Sequence, residues 1–513
     1  MRTNLMRLVA GAILATLFLP LGAQERTGSA MRHPGGFDFD LQHVRTDIPK
    51  ESFSEAGLTF ETNKRYKEDN MVEVSVHDDS FVKDSTLYIP STIMHNGRQY
   101  RVAAIRDWGL AGCMGIRRIV IGEGVRAIYE RAFLMCANLE SVSIPKSMEV
   151  IGEAVFYGCE RLRHITVEEG NEYLDSRNGC NAVIDKDNLL IAGCSATVIP
   201  SDVEGIFPGA FAGCFALEYI DIPDGVTDIG RWAFGNCHRL KSISLPPSLD
   251  NIGDYAFEDC TSLERIRIPR GVCGVGDFAF ARCTALCSIE VDRRNKHFDS
   301  RRNSNALIMK EDSSLVAGCR NSVIPEGVKS ISRGAFCGIP VSHIRIPRSL
   351  EHIEREAFSG LKSCVSIAVA PGNPVFSSPE GSNALMETAS MTLRLGCQNT
   401  AIPAGTKRIG DFAFHEGVLP VGLNIPEGVT EIGEEAFCRS EGLWYLLLPR
   451  SLKKIGDAAF ASCHTLEGIV VQGNTDDIEL GWRVFRGTPC AEHDFIRKWE
   501  EKKAPHLWYE KTE

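Results

Sequence analysis

The chain has 513 residues, of which 43% are apolar and 24% charged, with a formal net charge of −11. That balance is ordinary for a folded soluble chain. The acidic excess is modest and spread along the sequence, which excludes long-range attraction to nucleic acid or an anionic membrane and leaves room only for local basic patches.

At the N-terminus, Arg2 and Arg7 accompany an apolar stretch over residues 8–19, too short to span a bilayer comfortably. Residues 1–23 are therefore expected to be a secretory signal cleaved after Ala23. Export, with no transmembrane span in the mature chain, is the expected localisation. The first cysteine is Cys113, so an acylated cysteine just after the signal is excluded. Residues 24–56 show no sustained period and are expected to form a flexible leader. Leu58 and Phe60, followed by alternating Val72, Val74 and Val76, predict a small β cap over residues 57–89.

From residue 90 to residue 490 one unit recurs, usually every 23 residues. Its cleanest copy carries Leu217, Ile220, Ile222, Pro223, Val226, Ile229, Gly230, Ala233, Phe234 and Cys237. A period of about 20–29 residues with one short strand per unit predicts an α/β repeat fold, a leucine-rich-repeat solenoid. The alternation at Ile220, Asp221 and Ile222 is a half-buried strand that Pro223 ends, lacking an N–H for the ladder. Gly225 and Gly230 are expected at tight corners with positive φ. Ile229, Ala233 and Phe234 then return an apolar face inward over a short 3₁₀-like or helical turn. Stacked coil upon coil, the phenylalanines predict a continuous aromatic spine. Three units are longer, at 32–33 residues, opening at Asn171, Asn295 and Asn373. Each is expected to project a hairpin that gives the surface relief. Residues 491–513, with Phe495, Ile496 and Trp499 among charges, predict a C-terminal cap, short and helical.

Eighteen cysteines in an exported chain would ordinarily suggest a disulfide framework. Here Cys113, Cys136, Cys159, Cys214, Cys237, Cys260, Cys283 and Cys463 all follow the repeat phenylalanine position by three residues. Leu361, Ile339 and Ser440 take the same place in other units. A ladder at one core position reads as buried free thiols acting as small hydrophobes. Cys283 with Cys287, and His238 beside Cys237, lack the second pair that a zinc set requires. No catalytic, cofactor or metal motif is present.

Binding residues are sought instead on the outward strand positions, where the repeat leaves substitution free. Tyr219 and Tyr445 are amphipathic anchors, and Arg265, Arg267, His343 and Arg345 are expected to make a local basic patch. The partner class is an extracellular or cell-surface protein or glycan, not nucleic acid.

The unit Ile222-Pro through Ile243, the longer unit Phe298-Asp-Ser through Asn305-Ala-Leu-Ile to Ala317-Gly-Cys, and the opening run Tyr88-Ile-Pro through Asn96-Gly-Arg-Gln-Tyr resemble BspA-type leucine-rich repeats. The resemblance covers about residues 57–490. It implies a bacterial surface or secreted protein that mediates protein–protein interaction or adhesion to host matrix or cells, without catalysis. It transfers no binding residues. The competing reading is an envelope scaffold or self-assembling protein with no external ligand.

Overall fold

The structure is a computed structural model that describes residues 51–503, apart from 64–65, 67–69, 77–81, 83 and 420–422. The expected signal segment, most of the expected leader and the last ten residues lie outside the described residues. The chain divides into two compact units, residues 1–186 and 187–513.

In the first unit, strands Ser52–Glu55, Leu58–Thr62 and Met71–Ser75 run antiparallel. Ser52–Glu55 lies within the stretch expected to be leader. Phe53 explains the difference, because its ring is buried against Phe60, His95 and Tyr100. The last of these strands pairs in parallel with Arg98–Ile105, and the ladder continues through Ala127–Ile128 and Val150–Ile151. A second, parallel sheet stacks Thr86–Ile89, Arg118–Ile121, Ser141–Ile144 and His164–Val167 in register. Each coil therefore contributes one strand to a face sheet and a shorter one to the return side.

The second unit repeats this plan. Its return-side ladder runs in parallel through Gly205–Ile206, Asp228–Ile229, Asn251–Ile252 and Gly274–Val275, and resumes beyond each long repeat. Gly225 has the expected positive φ, at 111°. Gly230 does not. Glycine is required there because an added Cβ would lie 2.6 Å from the Pro208 nitrogen of the preceding coil.

The turn that follows is bonded from each residue to the third before it, as in Ala233 N to Gly230 O, Gly235 N to Trp232 O and Cys237 N to Phe234 O. It cannot continue as a helix, because Trp232 and Asn236 adopt left-handed φ of 57° and 60°. These conformations cost roughly 1–2 kcal/mol each for a non-glycine residue. The return is that the N–H groups of Trp232, Phe234 and Asn236 point at the next coil and donate to Asp254, Ala256 and Glu258 carbonyls. Backbone satisfaction between coils holds the strained turn in place.

Phe211, Phe234, Phe257 and Phe280 stack with centroids 5.0–5.4 Å apart, as do Phe414, Phe437, Phe460 and Phe485 at 5.0–5.7 Å. The spacing follows the strand repeat of about 4.8 Å. The spine is not continuous, however. Between Phe280 and Phe336, and between Phe358 and Phe414, a long repeat supplies no phenylalanine at the spine position. The Phe336 ring instead lies against the backbone of Gly318, where an added Cβ would be 2.2 Å away.

The long repeats carry the expected hairpins, but these do not project. Phe298–Asp299, Leu307–Met309 and Ser314–Ala317 form an antiparallel meander whose last strand rejoins the parallel ladder at Ser330–Ile331. Ala306, Leu307, Ile308, Leu315 and Ala317 are buried, so the meander fills core and exposes its turns, at Arg302 and Asn303 and near Glu311. An asparagine clamps each one. The Asn295 side chain donates to the Pro269 and Val272 carbonyls of the preceding coil, at 2.8 and 2.9 Å, and accepts from the His297 and Phe298 N–H groups. Asn171 and Asn373 repeat all four bonds.

Helix Asp494–Lys503 buries Ile496 and Trp499, with the Trp499 ring 6.1 Å from Phe485, the last ring of the spine. Trp499 Nε1 donates to the Thr475 carbonyl.

Candidate interaction face

In the first unit the face sheet presents two outward columns: Thr86, Arg118, Ser141 and His164, then Tyr88, Val120, Ser143 and Thr166. Tyr88 is 67% exposed. Sequence reading began the outward positions one coil later, at Arg118, and so passed over it.

Among the described residues of the second unit, the face is segmented into four strand pairs rather than one sheet. Two interruptions have the same cause. In the long repeats the Ser322 hydroxyl accepts the Cys319 N–H, and Thr400 accepts that of Cys397, so the chain turns where a face strand would run. Val323 is left exposed at one such break.

The predicted basic residues fall on two separate pairs. Arg265 and Arg267 lie on Arg265–Ile268, beside Ser288 and Glu290, whereas His343 and Arg345 lie on His343–Ile346, beside Ser366 and Ala368. All four are exposed. They are three coils apart, about 14 Å by strand spacing, with Glu290 and the Asp292 carboxylate between. Arg267 approaches Asp292 at 3.6 Å, and Arg294 also bonds it. Hydrogen bonds from Arg294 first, with Arg267 adding to them, hold Asp292 below the usual carboxylate range. The single basic patch is therefore not assembled. His343 Nδ1 is 2.9 Å from the Ser366 hydroxyl.

Tyr219 is exposed on Tyr219–Asp221, with the Lys241 ammonium 5.6 Å above its ring and Lys241 bonded to Glu218. Tyr445 stands on a different kind of surface. In the pair formed by Tyr445–Leu448 and Gly468–Val471, Tyr445 is opposite Gly468 and Leu447 opposite Val470. The Tyr445 ring lies across Gly468, and its hydroxyl donates to Glu467 at 3.2 Å. Tyr445, Leu447 and Val470 are 69, 39 and 60% exposed, and Trp444 beside them 53%. An apolar cluster on an outward strand face, preorganised by backbone pairing, is the surface best suited to bury against a partner. Leu447 was visible among outward positions. Val470 became its neighbour only through the register.

The thiol ladder is also clear in the structure. All eighteen cysteines are free and most are buried. Ladder thiols donate to carbonyls one coil back, as in Cys237 to Phe211, Cys260 to Phe234 and Cys283 to Phe257, at 3.1–3.2 Å. Burial pushes these thiols well up. Cys287 bonds the Glu264 carbonyl, and His238 pairs with Asp259.

The family profile described as "BspA type Leucine rich repeat region (6 copies)" matches residues 92–182, 192–308, 316–377 and 394–500, most of the chain. The chain belongs to the BspA-type leucine-rich repeat family. Among solved structures, this BspA-type chain is similar to a leucine-rich cell surface protein of Faecalibacterium prausnitzii, with 23% identity, TM-score 0.41, and 84% of this chain and 97% of that one covered. A leucine-rich repeat protein of Bacteroides ovatus has 23% identity, TM-score 0.33, and coverage of 85 and 92%. The pneumococcal vaccine antigen PcpA has 17% identity, TM-score 0.29, and coverage of 63 and 94%. No curated protein matches the chain. Among the described residues no helix is long and apolar enough to cross a membrane.

Proposed function

We propose that this BspA-type protein is exported and acts without catalysis, binding a host matrix or cell-surface protein through its strand face. The exposed cluster of Tyr445, Leu447 and Val470 carries the reading, because strand-face residues this apolar are costly to leave in water unless a partner covers them. Tyr219 and Tyr88 provide further amphipathic contacts on the same class of position, and the separated pairs Arg265 with Arg267 and His343 with Arg345 serve as rim charges that steer approach. The Arg2 and Arg7 signal-like segment supports export.

The test is surface plasmon resonance of the mature chain against purified matrix glycoproteins, intact host cells and bacterial envelope fractions. Leu447→Asp with Val470→Asp is expected to weaken a confirmed partner at least about tenfold, the change expected when a central anchor is lost. Arg265→Glu with Arg345→Glu should change the association rate and its salt dependence more than the dissociation rate. Binding unaffected by the aspartate pair would refute the assignment to this face. Binding of the chain only to itself would instead favour a self-assembling scaffold.

A further inference from the structure

The second unit buries a polar cluster that the packing of the solenoid does not explain. His415, Glu435 and Cys438 lie on two adjacent turns and retain only 5, 3 and 5% of their exposure. One ligand-type atom from each, an imidazole nitrogen, a carboxylate oxygen and the thiol sulfur, lies within 4.8 Å of the other two. His415 Nε2 and Glu435 Oε2 are 3.3 Å apart. They are misaligned for a hydrogen bond, and neither these two atoms nor His415 Nδ1 has a hydrogen-bond partner. Leaving such groups buried and unsatisfied costs about 1–3 kcal/mol each, more when charged.

Neighbouring groups do not relieve them. Glu416, next in sequence, is committed elsewhere: it takes Arg282 Nη2 at 2.5 Å and Arg439 Nη1 at 3.1 Å. Phe412 meets the His415 ring edge-on, adding an apolar wall.

We propose that His415, Glu435 and Cys438 bind a zinc ion. Imidazole, carboxylate and thiolate are all common zinc donors, with bonds of about 2.0–2.3 Å. Tetrahedral geometry then sets nitrogen and oxygen about 3.3 Å apart and nitrogen and sulfur about 3.5 Å apart. The His415–Glu435 separation already has the first value, and the sulfur needs to close by at most about 1.3 Å. Two hard-to-borderline donors with one thiolate favour zinc over magnesium or calcium, which take oxygen sets. A water completes the fourth position. The cation neutralises the carboxylate and thiolate and joins the two turns, so the site is a structural clip.

The same turn slots in other coils hold Ala281 and Ala461 where His415 and Cys438 stand, and Ala154 and Ala458 where Glu435 stands. Alanine variants are thus expected to fold. The mature protein, stripped with chelator and dialysed against zinc, should retain a single zinc per chain by elemental mass spectrometry. The cobalt-loaded protein should show thiolate-to-metal charge transfer in the near ultraviolet. His415→Ala, Glu435→Ala and Cys438→Ala should each weaken zinc binding by more than about 100-fold, beyond the usual effect of disturbing a metal's outer shell. Cys273→Ser, which removes an exposed thiol, should not. Circular dichroism verifies that each variant is folded. A wild-type chain that takes up no zinc overturns the proposal. So does a cobalt complex without the thiolate band, or folded alanine variants that bind like the wild type.

Discussion

Asn295→Ala tests how the long repeats are fastened. Asn295 is 2% exposed and its side chain makes four hydrogen bonds to main-chain groups. Alanine removes all four partners and leaves two carbonyls and two N–H groups facing a small void. At roughly 1 kcal/mol net per bond the loss is about 4 kcal/mol, and it grows where water cannot enter. For a unit of this size that corresponds to a fall of about 8–16 °C in the local melting transition. Asn295→Asp sharpens the test. It keeps the acceptor but turns a carboxylate toward the Pro269 and Val272 carbonyls, which raises the folded-state pKa of the introduced group. A raised pKa means the folded form binds the proton more tightly, so the penalty is greatest above that pKa and shrinks as pH falls through it. Urea unfolding combined with hydrogen exchange over residues 265–331 provides the readout. A loss below about 1 kcal/mol in Asn295→Ala, with amide protection unchanged around Phe298, would refute the clamp.

Phe234→Ala, between rings at 5.0 and 5.4 Å, should cost about 3–5 kcal/mol; chemical denaturation measures it, and a loss under 1 kcal/mol would argue against the spine as a stability element. Quantitative alkylation of the denatured chain should find all eighteen thiols free, and in the native state Cys273 should react first because it alone among the cysteines is classed as exposed. Disulfide-linked ladder peptides in the mass spectrum would contradict this. Burial pushes Glu258 up to about 7, with Arg282 opposing the shift and Asp259 and Glu416 adding to it, and Arg231 nearby. Its folded pKa therefore lies above the unfolded one, and stability falls as pH rises from about 4.5 to about 7. Glu258→Gln should accordingly gain up to about 3 kcal/mol at pH 8 relative to its effect at pH 5; equal effects at both pH values would exclude the linkage.

The solenoid was legible because every coil repeats the same buried positions, so Ile220, Phe234 and Cys237 announce their own environment. The internal shape of the long repeats was not. Leu307 and Ile308 alternate with nothing polar, and whether such a run projects or fills core depends on the asparagine bonds to a coil 23–26 residues away. The spine's breaks were hidden for a similar reason. Spacing shows where phenylalanine is absent, but not that Gly318 comes up against the next ring. At the interaction face, single outward residues such as Tyr445 and Leu447 could be read from alternation. The pairing of Leu447 with Val470, and the separation of Arg267 from Arg345 across Glu290 and Asp292, are properties of register. The proposed zinc ligands left the faintest trace, since they sit in slots whose occupants change from coil to coil, with Ser359 and Ala461 flanking His415 and Cys438, and Phe412 and Ala458 flanking Glu435.

Coils that bond chiefly to the next, 23 residues on, have a consequence for how the chain is made. Loop closures stay short and no strand waits for a distant partner, so folding proceeds by propagation, each finished coil templating its successor. A chain emerging N-terminus first can begin on the antiparallel strands from Ser52 to Ser75 and lengthen in order of synthesis. The long repeats pause that growth, because a meander of some thirty residues must be complete before its last strand offers a new edge. Throughout, the growing end is a sticky one. Phe485 remains bare until the Trp499 helix arrives to close it.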